Sequence, residues 1–159
     1  MTHARVFATA VVLAVAVAGP SASRAAEQHL NPNAISIKLP DQIPWKRNAA
    51  GTAETAILAG DPAKPGIYVE MLKWLPGNMS RPHWHPNDRY ITVLKGTWWV
   101  GTGNTFSPDT TVPIPTGSYV THFGKEVHYD GAKDGETWLL IVGEGPETQS
   151  PASTPPPAH

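Results

Sequence analysis

The 159-residue chain contains no cysteine. That absence excludes a disulfide framework and a lipid anchor attached through an N-terminal thiol. Charge is also scarce, at 16% of residues, with 12 Lys and Arg against 13 Asp and Glu. No Lys/Arg stripe forms, so nucleic acid is not an expected partner. No apolar run is long enough to cross a membrane. The longest, Val6 to Ala18, has about 13 residues, against the ~20 that a spanning helix needs. Neither an internal repeat nor a helix-length stretch of 3.6-residue periodicity follows it. Neither Ser nor Cys stands in a nucleophile setting, so a hydrolytic triad has no support.

What the first residues do contain is a leader. "MTHARVFATAVVLAVAVAGPSASRAAEQ" has Arg5 near its start, the apolar run, Gly19-Pro20, and Ser23 and Ala25 at the small positions before a cut after Ala25. Residues 1–25 are therefore read as a secretory signal peptide, and the mature protein as secreted or periplasmic, with no membrane attachment after cleavage. Loss of Arg5 and Arg24 leaves ten basic against thirteen acidic side chains. At the other end, "GPETQSPASTPPPAH" is proline-rich and polar, and reads as a disordered tail over 146–159.

Between these ends lie short runs rich in β-branched and aromatic residues. "TAILA", "GIYVEMLKWL", "YITVLKGTWWVGTG", "TTVPIP", "SYVTHF", "EVHYD" and "ETWLLIVG" are each bounded by Gly, Pro or Asp-Gly. Many short strands at close spacing predict an all-β sandwich or barrel over 55–145. Pro113 and Pro115 confine their strand to an edge or a bulge. Residues 26–54, with three prolines and Trp45 between Leu30 and Asn48, read as an N-terminal arm packed outside the sheets.

The chemistry concentrates in "RPHWHPNDRY". In an extended strand His83 and His85 project from the same face, ~7 Å apart along the chain, and suit two imidazoles on one ion. Trp84 faces the opposite way, into packing. Asp88 is a candidate carboxylate ligand slipped by one position, but its parity points it away from the face of Arg89, and it reads rather as the partner of Arg89 or as a solvated turn residue. Ile91 and Val93 are assigned inward and Tyr90, Thr92 and Leu94 outward. Trp98, Trp99 and Trp138 are assigned to core or dimer contacts. A metal-free, hydrogen-bonded cluster of histidines is the competing reading of the pair.

The longer stretch "GNMSRPHWHPNDRYITVLKG" has Gly77, five residues, His83-x-His85, three residues, position 89, six residues and Gly96. This spacing resembles the first motif of the cupin family, GxxxxxHxHxxxExxxxxxG, with Arg89 in place of the glutamate. "PIPTGSYVTHFGKEVHYDG" resembles the second motif more loosely, through Gly117, Gly124 and His128, with His122 at the usual turn-proline position. The resemblance implies a double-stranded β-helix (jelly-roll barrel). It also implies a metal held by His83, His85 and His128, with Arg89 at the fourth, acidic ligand's place. His122 is either a substitute ligand or an acid–base group beside the metal. Together with Arg89 it is the candidate for substrate contact.

Three imidazoles with open positions suit Fe, Zn, Ni, Cu or Mn. Two function classes are open: a metal-dependent dioxygenase or related oxidoreductase acting on a small molecule, or a non-catalytic cupin that binds a small anionic ligand or metal. A homodimer is expected, because cupins commonly pair their sheets and bare edges are a liability. Arg89 sets a puzzle. A guanidinium ~4 Å from a dication meets repulsion of order 8 kcal/mol at an effective dielectric near 20. Either Arg89 turns to a carboxylate, or an anionic ligand stands between it and the metal.

Overall fold

Turn chemistry cuts the chain into eleven short strands in the computed structural model, which describes residues 30–157. The leader expected over 1–25 lies outside the described residues. The strands are β1 (Lys46–Arg47), β2 (Ala53–Ala59), β3 (Gly66–Trp74), β4 (His83–Trp84), β5 (Arg89–Lys95), β6 (Thr97–Thr102), β7 (Val112–Pro115), β8 (Tyr119–His122), β9 (His128–Gly131), β10 (Thr137–Gly145) and β11 (Ser150–Pro151). All pairings are antiparallel, in a six-stranded sheet of order β1-β2-β3-β10-β5-β8 and a five-stranded sheet of order β11-β4-β9-β6-β7. From β3 onward the chain crosses from one sheet to the other at every step except β6 to β7, which is the crossing pattern of a jelly roll. Residues 30–38 form a separate unit, in which the Asn31 carbonyl and side chain close a turn.

Alternation along the strands builds the core. Tyr68 of β3, Ile91 and Val93 of β5, Trp98 of β6, and Leu139 and Ile141 of β10 form one fully buried cluster. Each aliphatic member contributes ~1.5–3 kcal/mol by leaving water. Tyr90 and Leu94 face outward, as their parity requires. Pro113 and Pro115 sit in β7, an edge strand, where a missing N–H breaks no ladder. Gly96 takes φ +77° between β5 and β6, and a Cβ there would stand 2.4 Å from the Glu136 carbonyl oxygen. Only glycine meets both demands.

Two expectations change at the ends of the barrel. The arm does not simply lie outside: β1 joins the six-stranded sheet beside β2, and Trp45 packs edge-on against Trp138 at 5.3 Å. The proline-rich segment expected to be disordered from 146 is ordered to Pro157. Its β11 pairs with β4, Ala152 N–H donates to the Pro82 carbonyl at 3.0 Å, and Trp84 Nε1–H donates to the Thr154 carbonyl at 2.7 Å. Composition pointed to disorder because few side chains there are apolar. The segment docks instead through its backbone, as an added edge strand.

Candidate metal centre

β4 and β9 run side by side with His83 opposite His128, and β4 carries the chain directly on to His85. All three imidazoles are buried, and one nitrogen from each lies within 4.8 Å of the others. The structure therefore gathers the three histidines that the motif spacing singled out.

Backbone carbonyls hold the outer nitrogens. His83 Nδ1 contacts Arg81 O at 2.7 Å, His85 Nδ1 contacts Thr148 O at 2.9 Å, and His128 Nδ1 contacts Glu126 O at 3.1 Å. A carbonyl only accepts, so each Nδ1 carries the hydrogen and each Nε2 is left with a lone pair. Those lone pairs point at one another: His83 Nε2 and His85 Nε2 are 3.1 Å apart. His128 Nε2 is buried with no hydrogen-bond partner. Zn–N bonds of ~2.0–2.1 Å in a tetrahedron put nitrogens about 3.3 Å apart, so this donor set fits a divalent transition metal. Outer contacts that fix the ring tautomer are what such ligands need.

Electrostatics agree with neutral rings. Burial, then Arg89 and the neighbouring imidazoles, push His85 down to about 2. Burial lowers His83 as well, and brings His128 to about 4. A neutral imidazole is the ligating form.

Arg89 is buried on the inward face of β5, and its Nη1–H groups reach His85 Nε2 at 2.9 Å and Glu147 Oε1 at 2.7 Å. Its carboxylate partner is thus Glu147. Asp88 instead accepts the Gly124 N–H at 2.8 Å, tying the turn before β5 to the turn before β9. Gly124 allows that approach, since a Cβ there would meet Pro86 O at 2.7 Å.

His122 pairs with Arg89 across β8 and β5 but stands outside the three-nitrogen group. Its ring lies 3.8 Å from that of His128 and 5.1 Å from Trp98, with neither nitrogen hydrogen-bonded. Burial and His128 push it down to about 3. Below it, Asp130 accepts from Trp98 Nε1 at 2.8 Å, Trp74 Nε1 at 3.0 Å and Ser80 Oγ at 3.2 Å. Burial opposes its ionisation, yet His122, His128, His83 and Arg89 hold it below the usual carboxylate range.

A cavity of about 370 Å³ opens on His83, His85 and Arg89. Three carboxyls line it, Asp130, Glu70 and Glu147, and sequence reading missed all three. Glu70 belongs to the inward face of β3 with Tyr68, Leu72 and Trp74. Burial and the Glu147 charge, opposed by Arg89, push it up to about 7. An acid among apolar inward positions of "GIYVEMLKWL" was the available signal. Glu147 gave none, because it lies in the segment read as a tail.

No protein-family model matches the chain, and no curated protein does. Solved structures do. A polyketide cyclase from Streptomyces resistomycificus superposes with TM-score 0.60 at 15% identity, over 74% of this chain and 85% of the cyclase. A DMSP lyase from Ruegeria pomeroyi gives 0.55 at 14%, over 69% of this chain and 61% of the lyase. A cupin-2 domain from Rhodospirillum rubrum gives 0.55 at 14%, over 74% and 79%. At such identities the likeness carries the fold: the described barrel is all-β, a double-stranded β-helix of the cupin type.

Proposed function

We propose that the protein is a metal-dependent cupin enzyme acting on a small polar molecule in the 370 Å³ cavity. One observation carries this reading: three Nε2 lone pairs converge while every Nδ1 is tied to a backbone carbonyl. His83, His85 and His128 hold one Fe, Zn, Ni, Cu or Mn ion. The bound ion supplies Lewis acidity, and oxygen activation when it is redox-active. Glu147 neutralises Arg89 and aims it at the cavity.

A dioxygenase is one version of this enzyme. Proton-transfer chemistry of the cyclase or lyase kind is the other, and Glu70, an acid on the cavity wall, favours it. A non-catalytic binder is the alternative class. The leader over 1–25 supports export, and aromatic strands support a homodimer.

Metal analysis of protein prepared without an affinity tag should find close to one transition-metal ion per chain. Oxygen uptake by iron-loaded protein with diketones, flavonols and thiols separates oxygenase from the other readings. A binder shows neither uptake nor conversion of any compound it retains.

A further inference from the structure

We propose that Glu70 is a catalytic acid–base residue, removing a proton from the carbon next to the carbonyl of a small, neutral hydroxycarbonyl compound. The inference rests on the metal reading above and names the chemistry of that same cavity.

Glu70 is only 7% exposed, yet it makes no side-chain hydrogen bond and no ion pair among the described residues. The neighbouring acids are all partnered. Asp130 holds two indoles and Ser80, Glu147 holds Arg89, and Glu54 holds Lys73 and Arg47. A buried carboxyl without partners costs folding free energy, and this one lies on the wall of the cavity that His83 and His85 also line, which marks it as a functional group. It stands on a central strand, between the β2 and β10 ladders, which gives it a fixed position.

Its proton affinity suits the task. Burial and Glu147 raise it to about 7 against the opposing charge of Arg89, so carboxylate and acid forms coexist near neutrality. In the proposed step the substrate C–H bond breaks and the proton passes to a Glu70 oxygen. The C–H electron pair becomes the new C=C bond as the carbonyl π pair moves onto oxygen, giving an enolate. Glu70 then returns a proton to the same carbon, which exchanges it with solvent; or the hydroxyl proton on that carbon passes to the enolate oxygen and Glu70 protonates the former carbonyl carbon, which isomerises the compound. No oxidant or further reactant is needed.

The cavity's charge selects the substrate class. Glu70, Asp130 and Glu147 line it, and the one cationic side chain in its lining, Arg89, is engaged 2.7 Å from Glu147. With a bound dication, Arg89 and the three ionised carboxyls leave the cavity no net charge to attract an anion. This favours a neutral ligand over the anion expected from sequence. Asn48, Thr52, Thr55, Ser80 and Gln149 supply the amides and hydroxyls that bind hydroxyl groups.

Dihydroxyacetone is the probe, and loss of its C–H signal in D₂O is followed by NMR with zinc-loaded wild type, Glu70→Gln and Glu70→Asp. The expected result is catalysed exchange in wild type, a fall of about 100-fold or more in Glu70→Gln, and an intermediate rate in Glu70→Asp. Zinc content and dihydroxyacetone affinity should remain within a few-fold of wild type. In metal-free protein with ¹³C-labelled glutamate, one carboxyl should titrate near 7 and be missing from Glu70→Gln. Zinc-loaded wild type that exchanges nothing, or exchange unchanged in Glu70→Gln, overturns the role of Glu70. Wild type that fails to hold zinc overturns the metal reading and this inference with it, and zinc analysis tells the two failures apart.

Discussion

At Arg89 one guanidinium nitrogen lies 2.9 Å from an imidazole nitrogen and 2.7 Å from a carboxylate oxygen. The His85 lone pair it meets is one that a metal must use, so the guanidinium and the ion compete for the same atom. Removing the positive charge should strengthen metal binding, and Glu147, left as an unpaired anion beside the site, should add to the effect. Arg89→Gln is expected to bind zinc at least ~10-fold more tightly, a change of ~1.4 kcal/mol, in competition with a chromogenic chelator. Arg89→Glu, which restores the motif's acid, should go further. Unchanged affinity in both variants would place Arg89 outside the electrostatics of the ion.

The last strand and the residues around it tie the metal centre to the end of the chain. Thr148 O receives the His85 Nδ1 hydrogen, β11 pairs with β4, and Thr154 O receives the indole hydrogen of Trp84, the residue between two ligands. A chain ending at Gly145 loses these acceptors and Glu147 together. It should bind zinc ~10–100-fold more weakly, as expected when contacts behind a ligand are lost. Loss of each hydrogen bond should also cost ~1 kcal/mol of stability. Titration and urea unfolding of the truncated chain test both.

The same elements show how far sequence carries. The strand set, the parity of β5 and the pair His83/His85 were legible, because alternation and motif spacing leave traces in side-chain type. His128 was reachable only through the looser second motif. Glu70 lay in plain view on an alternating strand, and the pattern could not say that its face met the histidines. The role of residues 146–157 was illegible for a physical reason: they dock largely through carbonyls and N–H groups, which every residue possesses.

For the molecule as a whole, the buried acid and the buried imidazoles impose opposite pH dependences. Glu70 has a raised folded-state pKa, so its protonated form is favoured by folding and stability is lost as pH rises from 4.5 through about 7. That gap corresponds to ~3 kcal/mol. Glu70→Gln should therefore stabilise metal-free protein by ~2–3 kcal/mol at pH 8 and barely at all at pH 4.5, measured by urea unfolding. The histidines work the other way. Folded-state values depressed to about 4 for His128 and about 3 for His122 give stability that is present above 6.5 and lost as pH falls toward them. Acid should unfold the barrel progressively below 6.5, and bound metal should shift that transition to lower pH. Metal stoichiometry across the ligand variants tests the whole account most directly. Tag-free wild type, His83→Ala, His85→Ala, His128→Ala and His122→Ala are loaded with zinc, desalted and analysed for bound metal. Close to one ion per chain in wild type, near-complete loss in the first three variants and retention in His122→Ala is the predicted result. Equal zinc in wild type and in the His83, His85 and His128 variants would contradict it.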